Sequence, residues 1–312
     1  MEAILSIKNL EKSYQAKKVI KDLSFDVHKG EILCILGPNG AGKSTTLNIL
    51  TGVLNYEDGM IQSKGKNVHD HLRLFKKRLG IVPQDIALYE ELSAEQNIKF
   101  FASLYGLKGN ALSTSCNQAL EFAGLSERRK DKVKTYSGGM KRRLNIACAI
   151  AHQPEILILD EPTVGIDPQS RNHILSSIKE LRNKGMTIIY TTHYMEEVEE
   201  ISTRIIIMDG GRIVASGKKE ELKEHVNEER LYHIDVDHTE GINEKEFYHI
   251  EGVKHVSISA SQVELATLKS VENLDRIISV FIQNKVKINS ISCESTSLET
   301  VFLRLTGKSL RD

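Results

Sequence analysis

The chain has 312 residues, long enough to fold as one large domain or two smaller ones. Lysine and arginine together number 42, as do aspartate and glutamate, so the formal charge is zero and binding to nucleic acid or another polyanion is disfavoured. No apolar run approaches the roughly 20 residues of a membrane-spanning helix, and the four cysteines include no CxxC pair, which favours a reducing cytosol.

The first part of the chain alternates short apolar runs with amphipathic stretches, which predicts an α/β fold built on a largely parallel sheet. Half-exposed strands come first (AILSIKNL and VIKDLSFDV), and apolar strands follow in EILCIL, GIVPQ, EILILD, MTIIYTT and RIIIMDG. Helices are predicted from KSTTLNIL and at about Ser93 to Tyr105, Ser113 to Ala123, Gly139 to His152 and Pro168 to Asn183. We place this domain at residues 1–225.

Residues 226–312 have a different pattern of strand, hairpin, helix, strand and closing helix, without a glycine-rich phosphate loop. This pattern predicts a small C-terminal α+β accessory domain. The closing helix has a candidate capping box, Thr296 with Glu299. Because the segment has no catalytic constellation, we expect it to serve regulation or dimer contact.

A phosphate-binding loop is predicted in GPNGAGKST, between a buried strand and a helix. Its glycines let consecutive backbone amides face phosphate oxygens at the positive end of the following helix. The alternative is a glycine-rich turn that only joins strand to helix. The predicted nucleotide-binding residues of the loop are Gly37, Pro38, Asn39, Gly40, Ala41, Gly42, Lys43, Ser44 and Thr45. Lys43 is expected to reach the β- and γ-phosphates, and Ser44 to hold Mg²⁺.

Three further strand ends carry polar side chains, at the edge of an α/β sheet where ligands bind. Asp160 and Glu161 end the run ILILDE; Asp160 can serve Mg²⁺ through a water, and Glu161 can polarise an attacking water. The two acids could instead cap a helix or lie in a solvated loop. His193 could contact a γ-phosphate, although a lone histidine is more often structural, and Gln84 could supply an amide to Mg²⁺ or water.

The stretch YSGGM, from Tyr136 to Met140, resembles the signature sequence of the ATPase subunits of ATP-binding cassette transporters. Together with the phosphate loop and the acids, the resemblance covers roughly residues 1 to 220. It implies an α/β P-loop NTPase cassette with an antiparallel β subdomain and a helical insertion at about residues 85–150. Tyr136 and Met140 depart from the leucine and glutamine that are usual in the signature.

In that family two cassettes face head to tail, and each ATP lies between one subunit's phosphate loop and the other's signature. The resemblance therefore implies that Ser137, Gly138 and Gly139 contact ATP bound by the partner subunit, and that Asp167 contacts the partner across the interface. It further implies that Tyr14 stacks on adenine, an ordinary strand tyrosine being the alternative. The resemblance also makes Gln84 the sensor glutamine and His193 the switch histidine. The catalytic residues that it implies are Glu161, His193 and Gln84. Ser44, Gln84 and Asp160 become the Mg²⁺ residues.

The segment after Gln84 resembles the helical insertion on which the membrane partner docks. Ser93 and Gln96 can cap its helix, most of whose apolar face is expected to be ordinary core. In the helix that follows the signature, an apolar stripe predicts burial of one face, whereas Lys141, Arg142 and Asn145 are expected to form a solvated face.

The resemblance implies a function: an ATPase subunit that uses ATP and Mg²⁺ to drive transport through a separate polytopic permease. The closing stretch SLETVFLRLTG resembles the branch that mostly exports drugs, lipids, polymers or ions. A second cassette, expected to be another copy of this chain, would complete the dimer, at the cytoplasmic face of the cell membrane. One alternative is a soluble cassette ATPase without a membrane partner, and another is a non-hydrolysing ATP sensor.

Overall fold

The computed structural model describes residues 2–15, 17–226, 229–294 and 297–307. The chain divides into two compact units, the first running to Lys219 and the second comprising Glu220–Gly307. The division therefore falls a few residues before the expected boundary at residue 225, at the start of a helix rather than behind it. Within the described ranges, no helix combines the length and apolar character needed to cross a bilayer.

The first unit contains two sheets and most of the helices. Its strands are β1 (Ala3–Tyr14), β2 (Lys17–His28), β3 (Ile32–Leu36), β4 (Asp58–Ser63), β5 (Lys66–Asn67), β6 (Leu79–Val82), β7 (Ile156–Asp160), β8 (Thr187–Thr192), β9 (Arg204–Asp209) and β10 (Arg212–Gly217). Its helices are α1 (Lys43–Leu50), α2 (Leu72–Lys76), α3 (Ala94–Leu104), α4 (Gly109–Phe122), α5 (Gly138–Ile150), α6 (Pro168–Asn183) and α7 (Met195–Ile201).

The central sheet has the strand order β10-β9-β3-β8-β7-β6. All neighbours are parallel except β10, which runs antiparallel to β9 at the edge. The five residues of β3 are buried, as expected for a continuous Ile/Leu run covered on both faces. In the register, Leu36 pairs with Thr192 and Asp160 with Thr191, so the carboxyl ends of β3, β7 and β8 meet at one edge.

A second, antiparallel sheet has the order β2-β1-β4-β5. Its inward residues, including Ile7 and Leu10, share one core with Leu33 and Ile35 of the central sheet and Leu47 of α1. This shared core fixes the phosphate loop between the two sheets, because both elements that flank the loop contribute to it.

The helices α3, α4 and α5 form a separate apolar core that includes Ile98, Leu120 and Leu144. The predicted cap of α3 is confirmed: Ser93 accepts from the Gln96 amide at 3.2 Å, and Gln96 accepts from the Ser93 amide at 2.8 Å. The expectation of a solvated polar face on α5 is wrong, since Arg142 and Asn145 are both buried.

Helix α8 (Lys219–Val226) belongs to the second unit from Glu220 onward, and that unit continues with β11 (Glu229–Val236), α9 (Glu244–Tyr248), β12 (Val253–Ile258), β13 (Gln262–Leu268), α10 (Leu274–Gln283), β14 (Ile288–Glu294) and α11 (Leu298–Thr306). Its antiparallel sheet has the order β12-β13-β11-β14. Phe247 of α9 and Phe281 of α10 pack on alternate residues of that sheet, such as Ile234 and Leu265. Ser297 caps α11, whereas Thr296, the predicted cap, lies outside the described residues.

Candidate nucleotide site

The loop between β3 and α1 depends on glycine at two positions. A Cβ on Gly37 would lie 2.4 Å from the Met208 carbonyl oxygen, so no larger residue fits beside β9. Gly42 has φ +103°, in the left-handed region that favours glycine, directly before α1 begins. Both features let the loop turn tightly before α1, as a loop whose amides are to face a phosphate must.

Lys43 extends from the first turn of α1 back over this loop. Its ammonium donates to the carbonyl oxygens of Gly37 at 2.8 Å and Pro38 at 3.2 Å, and lies 3.1 Å from Oε1 of Glu161. The Lys43 residue is only 4% exposed, so the charge is held by oxygen atoms rather than by water. Phosphate oxygens are chemically equivalent partners for this ammonium, which is the fit that a nucleotide requires.

Asp160 and Glu161 lie at the end of β7 and are oriented by β8. Thr191 donates its hydroxyl to Oδ1 of Asp160 at 2.6 Å, and the same hydroxyl accepts from the Glu161 amide at 3.0 Å. Glu161 has φ +44°, unusual for a residue with a side chain, and is 6% exposed. Such local backbone strain is retained where surrounding contacts over-determine it, and here it directs the carboxylate toward Lys43.

His193 follows β8 and contacts the other oxygen of the same carboxylate. Its Nδ1 lies 3.1 Å from Oε2 of Glu161, and the imidazole ring lies 4.2 Å from the ring of Tyr194. One buried carboxylate thus bridges Lys43 and His193, which come from two elements far apart in the sequence. The Lys43 ammonium can therefore bind a negatively charged group while the Glu161 carboxylate beside it accepts a proton.

Gln84 is exposed in the loop after β6, and its backbone is held by an arginine that the sequence analysis assigned to solvent. Arg142 of α5 donates Nη1 to the Pro83 carbonyl oxygen at 2.8 Å and Nη2 to the Gln84 carbonyl oxygen. Burial lowers the pKa of Arg142, whose residue is 3% exposed. The amphipathic pattern gave the wrong prediction because the long Arg142 side chain reaches the loop after β6 instead of solvent.

Ser137 of the signature turn and Asp167, the predicted interface acid, each cap the helix that follows them. Ser137 caps α5 by accepting from the Met140 amide at 3.3 Å, and Asp167 caps α6 by accepting from the Ser170 amide at 2.9 Å. That amide lowers the pKa of the Asp167 carboxyl. Among the described residues, no hydrogen bond joins either cap to the phosphate loop.

Gly139 packs against α6, because a Cβ there would lie 2.1 Å from Oγ of Ser170, whereas a Cβ on Gly138 would lie at ordinary contact distance, 3.9 Å from Cδ1 of Ile166. Tyr14 is half exposed at the end of β1, with the Lys12 ammonium 5.8 Å from its ring centre. The remaining predicted loop residues divide by exposure. Pro38 and Ala41 are buried, Ser44 and Thr45 half-buried, and Asn39 and Gly40 exposed.

Sequence reasoning also missed Glu197 of α7. It is 1% exposed and accepts hydrogen bonds from Tyr190 and Thr192 of β8 and from Thr163. Desolvation, and next the nearby carboxylate, raise the pKa of Tyr190. The available signal was a charged residue on the apolar stripe of α7, beside Val198 and Ile201.

Known proteins similar to this chain identify its family. A family model described as ABC transporter matches residues 20–164. The linearmycin resistance ATP-binding protein LnrL of Bacillus subtilis (strain 168) is 41% identical over 314 residues, covering 99% of this chain and 100% of that protein. The Nod factor export ATP-binding protein I of Ralstonia nicotianae is 33% identical over 324 residues, covering 99% and 95%.

A solved dimeric bacterial ABC transporter cassette is 26% identical, with a TM-score of 0.63 and coverage of 69% of this chain and 98% of that chain. The fold resemblance and the full-length relatives agree with the expected P-loop NTPase cassette. On this evidence the chain belongs to the ABC transporter family, as an ATP-binding, ATP-hydrolysing subunit.

Proposed function

We propose that this chain drives export through a separate polytopic permease by hydrolysing ATP at the site formed by Lys43, Glu161 and His193. The main observation in support of this site is that the buried Glu161 carboxylate lies 3.1 Å from the Lys43 ammonium and 3.1 Å from Nδ1 of His193. Export is supported by the relatives that match nearly the whole chain, one named for linearmycin resistance and one for Nod factor export.

In this proposal Lys43 changes partners when ATP binds. Its ammonium is held by the Gly37 and Pro38 carbonyls and by Glu161, and the β- and γ-phosphate oxygens compete for it. Transfer of the ammonium to phosphate frees Glu161 to accept a proton from the attacking water. His193 remains beside Glu161 and orients that water at the γ-phosphate.

Mg²⁺ belongs to the same proposal. The described residues contain no group of three or more His, Cys, Asp or Glu side chains that could hold a metal ion alone. Ser44, Gln84 and Asp160 supply a hydroxyl, an amide and a carboxylate, oxygen donors that suit Mg²⁺ together with phosphate oxygens and water. When bound, Mg²⁺ neutralises charge on the phosphates.

The nucleotide also joins two copies of the chain. Tyr14 stacks on adenine, while Ser137, Gly138 and Gly139 of one copy contact the γ-phosphate bound by the other, and Asp167 contacts the partner. A Cβ on Gly138 would meet Cδ1 of Ile166 only at 3.9 Å, so packing within the chain does not crowd this glycine, and its missing side chain suits a close backbone approach. Closure needs ATP rather than ADP, because only ATP offers a γ-phosphate to the second chain.

The permease is proposed to dock on the helical part, at the aromatic cluster of Tyr89, Phe100 and Phe101. The rings of Tyr89 and Phe100 are 4.9 Å apart, and both side chains are exposed. The cluster lies downstream of Gln84, so docking and nucleotide sensing share one segment. The chain would then lie at the cytoplasmic face of the membrane. Co-purification of a multi-helix membrane protein would support this docking, and a functional chain without one would favour the soluble alternative.

Glu161→Gln tests the catalytic assignment. We expect the variant to bind Mg-ATP and form a dimer but to lose most of its phosphate release, because an amide cannot accept the proton from water. Dimerisation is measured by size-exclusion chromatography with light scattering, and hydrolysis by phosphate release with the permease present. Glu180→Gln, which removes an exposed acid paired with Lys184, is the control and should behave as wild type. Normal turnover in Glu161→Gln would remove Glu161 from this role.

A further inference from the structure

We infer that Glu197 is a positioning residue that holds the turn carrying His193 and the segment from Thr163 to Asp167 in one geometry. This inference rests on the proposed function, since it assigns a role relative to His193 and the predicted interface acid. Glu197 touches neither Lys43 nor Glu161 in the contacts of the described chain, and its effect on hydrolysis is therefore indirect.

The carboxylate of Glu197 is buried and nearly saturated with donors. Oε2 accepts from the hydroxyls of Tyr190 and Thr192, each at 2.8 Å, and Oε1 accepts from the Thr163 hydroxyl at 2.5 Å. Arg171 of α6 brings its Nε to 3.6 Å from Oε1. A buried charge needs such partners, and through them the Glu197 side chain connects three parts of the fold: β8, α6 and the loop that follows β7.

One branch of this network reaches His193. The Thr192 hydroxyl that donates to Glu197 also accepts from the Tyr194 amide at 2.9 Å. The backbone is thus held on both sides of His193. In addition, the Arg171 guanidinium lies 4.8 Å from the ring of Tyr194, which packs beside the imidazole. The direction of His193 toward Glu161 follows from these contacts.

The other branch reaches the predicted interface segment. Thr163 is buried two residues after Glu161, and its carbonyl oxygen accepts from the Ile166 amide at 3.1 Å. Asp167 then starts α6, which also carries Arg171. A shift of this segment, for example on contact with a second copy, would move Thr163 and Arg171 relative to Glu197 and so reach the His193 turn.

Glu197→Gln is the direct test, because it keeps the size of the side chain but replaces one acceptor oxygen with a donor that faces hydroxyl donors. We expect kcat for ATP hydrolysis to fall about tenfold or more from misplacement of His193, with KM for Mg-ATP nearly unchanged. The matched control is Glu200→Gln, which removes an exposed acid of the same helix paired with Lys179. All variants are full-length and assayed with the permease.

Thr192→Val and Thr163→Val keep the inference testable if Glu197→Gln does not fold. Each removes one hydroxyl and keeps the shape, and each should lower kcat without a matching change in KM. The double variant Thr192→Val/Glu197→Gln should lower kcat by much less than the product of the single effects, because both substitutions act on the same hydrogen bond. Three results would each overturn the inference. The first is a loss of Mg-ATP binding as large as the loss of kcat, and the second is a kcat of the double variant equal to the product of the single effects. The third is a wild-type kcat in a folded Glu197→Gln variant. Failure of the wild-type chain to hydrolyse ATP would instead overturn the proposed function.

Discussion

Gly139 shows that packing alone can require glycine at a motif position. Its backbone lies so close to α6 that a Cβ would fall 2.1 Å from Oγ and 2.6 Å from Cβ of Ser170. The neighbouring Gly138 has no such restriction. Packing within the chain therefore requires glycine at position 139 but not at position 138. At position 138, only contact with a nucleotide bound by a second chain would require it.

Gly139→Ala is expected to destabilise the chain by about 1–3 kcal/mol, because the added methyl must displace the first turn of α6. Gly138→Ala has room for its methyl and gains helix propensity, so it should be neutral or slightly stabilising. The free energy of unfolding from urea titration decides between them. In a Ser170→Gly background the cost of Gly139→Ala should largely disappear; an undiminished cost there would show that Ser170 is not the obstacle.

At this scale the sequence predicts the residues that belong to short local patterns. Lys43, Asp160 and Glu161 follow strand runs and glycine spacing, and the structure brings Lys43, Glu161 and His193 together. Glu197 escaped prediction because its partners come from three separate elements, and no local spacing encodes such a meeting. The φ of +44° at Glu161 has no sequence signal either, since that residue type rarely adopts it.

At the scale of elements, Arg142 joins the signature helix α5 to the loop that carries Gln84. Both carbonyl oxygens that it reaches lie directly after β6, and the guanidinium is buried between the two elements. A movement of α5 is thereby linked to the Gln84 backbone without any contact to its side chain. Helix α5 and the loop after β6 are therefore joined through one buried side chain.

Arg142→Met should release this loop while leaving the helix intact. Methionine fills part of the space but donates no hydrogen bond, so the Pro83 and Gln84 carbonyls lose their partner, at a cost of about 1–3 kcal/mol. Hydrogen exchange should increase at the amides of residues 84–86, and the free energy of unfolding should fall. Lys141→Met, which removes only an exposed pair with Glu90, is the control. Unchanged exchange in Arg142→Met would show that the arginine does not hold the loop.

Elements with a strong period were the ones that could be predicted. The helix expected at Pro168 to Asn183 has those limits in the structure, with Asp167 as cap and Pro168 at its first turn. The short elements β4, β5, α2 and α9 were not predicted, because they have neither a continuous apolar run, such as that of β3, nor enough residues to establish a period. Arg142 and Asn145 were misplaced since amphipathic reasoning assumes that every polar residue faces water.

At the scale of the whole molecule, the second unit has an apolar core of its own. In the second unit, Phe247 and Phe281 pack on the sheet strands β11 and β13, and no residue of the first unit belongs to that cluster. The sequence indicated a separate accessory domain from the change in strand and helix pattern, but it could not specify the strand order β12-β13-β11-β14, which depends on long-range pairing.

Separate cores predict separate unfolding transitions. Phe281→Ala removes a fully buried ring and should destabilise the second unit by about 3–5 kcal/mol. Ile282→Ala changes the next residue of α10, which is 68% exposed, and should alter stability by no more than about 0.5 kcal/mol. Calorimetry with and without Mg-ATP identifies the transitions, because a bound ligand raises only the Tm of the unit that holds it.

We expect Mg-ATP to raise one transition and Phe281→Ala to lower the other, each without moving its neighbour. The proposed nucleotide contacts lie at the sheet edge around Lys43, whereas Phe281 belongs to a core made from residues of the second unit. A single transition that responds to both changes would mean that the units unfold cooperatively, so that loss of the accessory core would also weaken the nucleotide site. The accessory unit could then influence ATP hydrolysis through stability alone, without contributing a residue to the site.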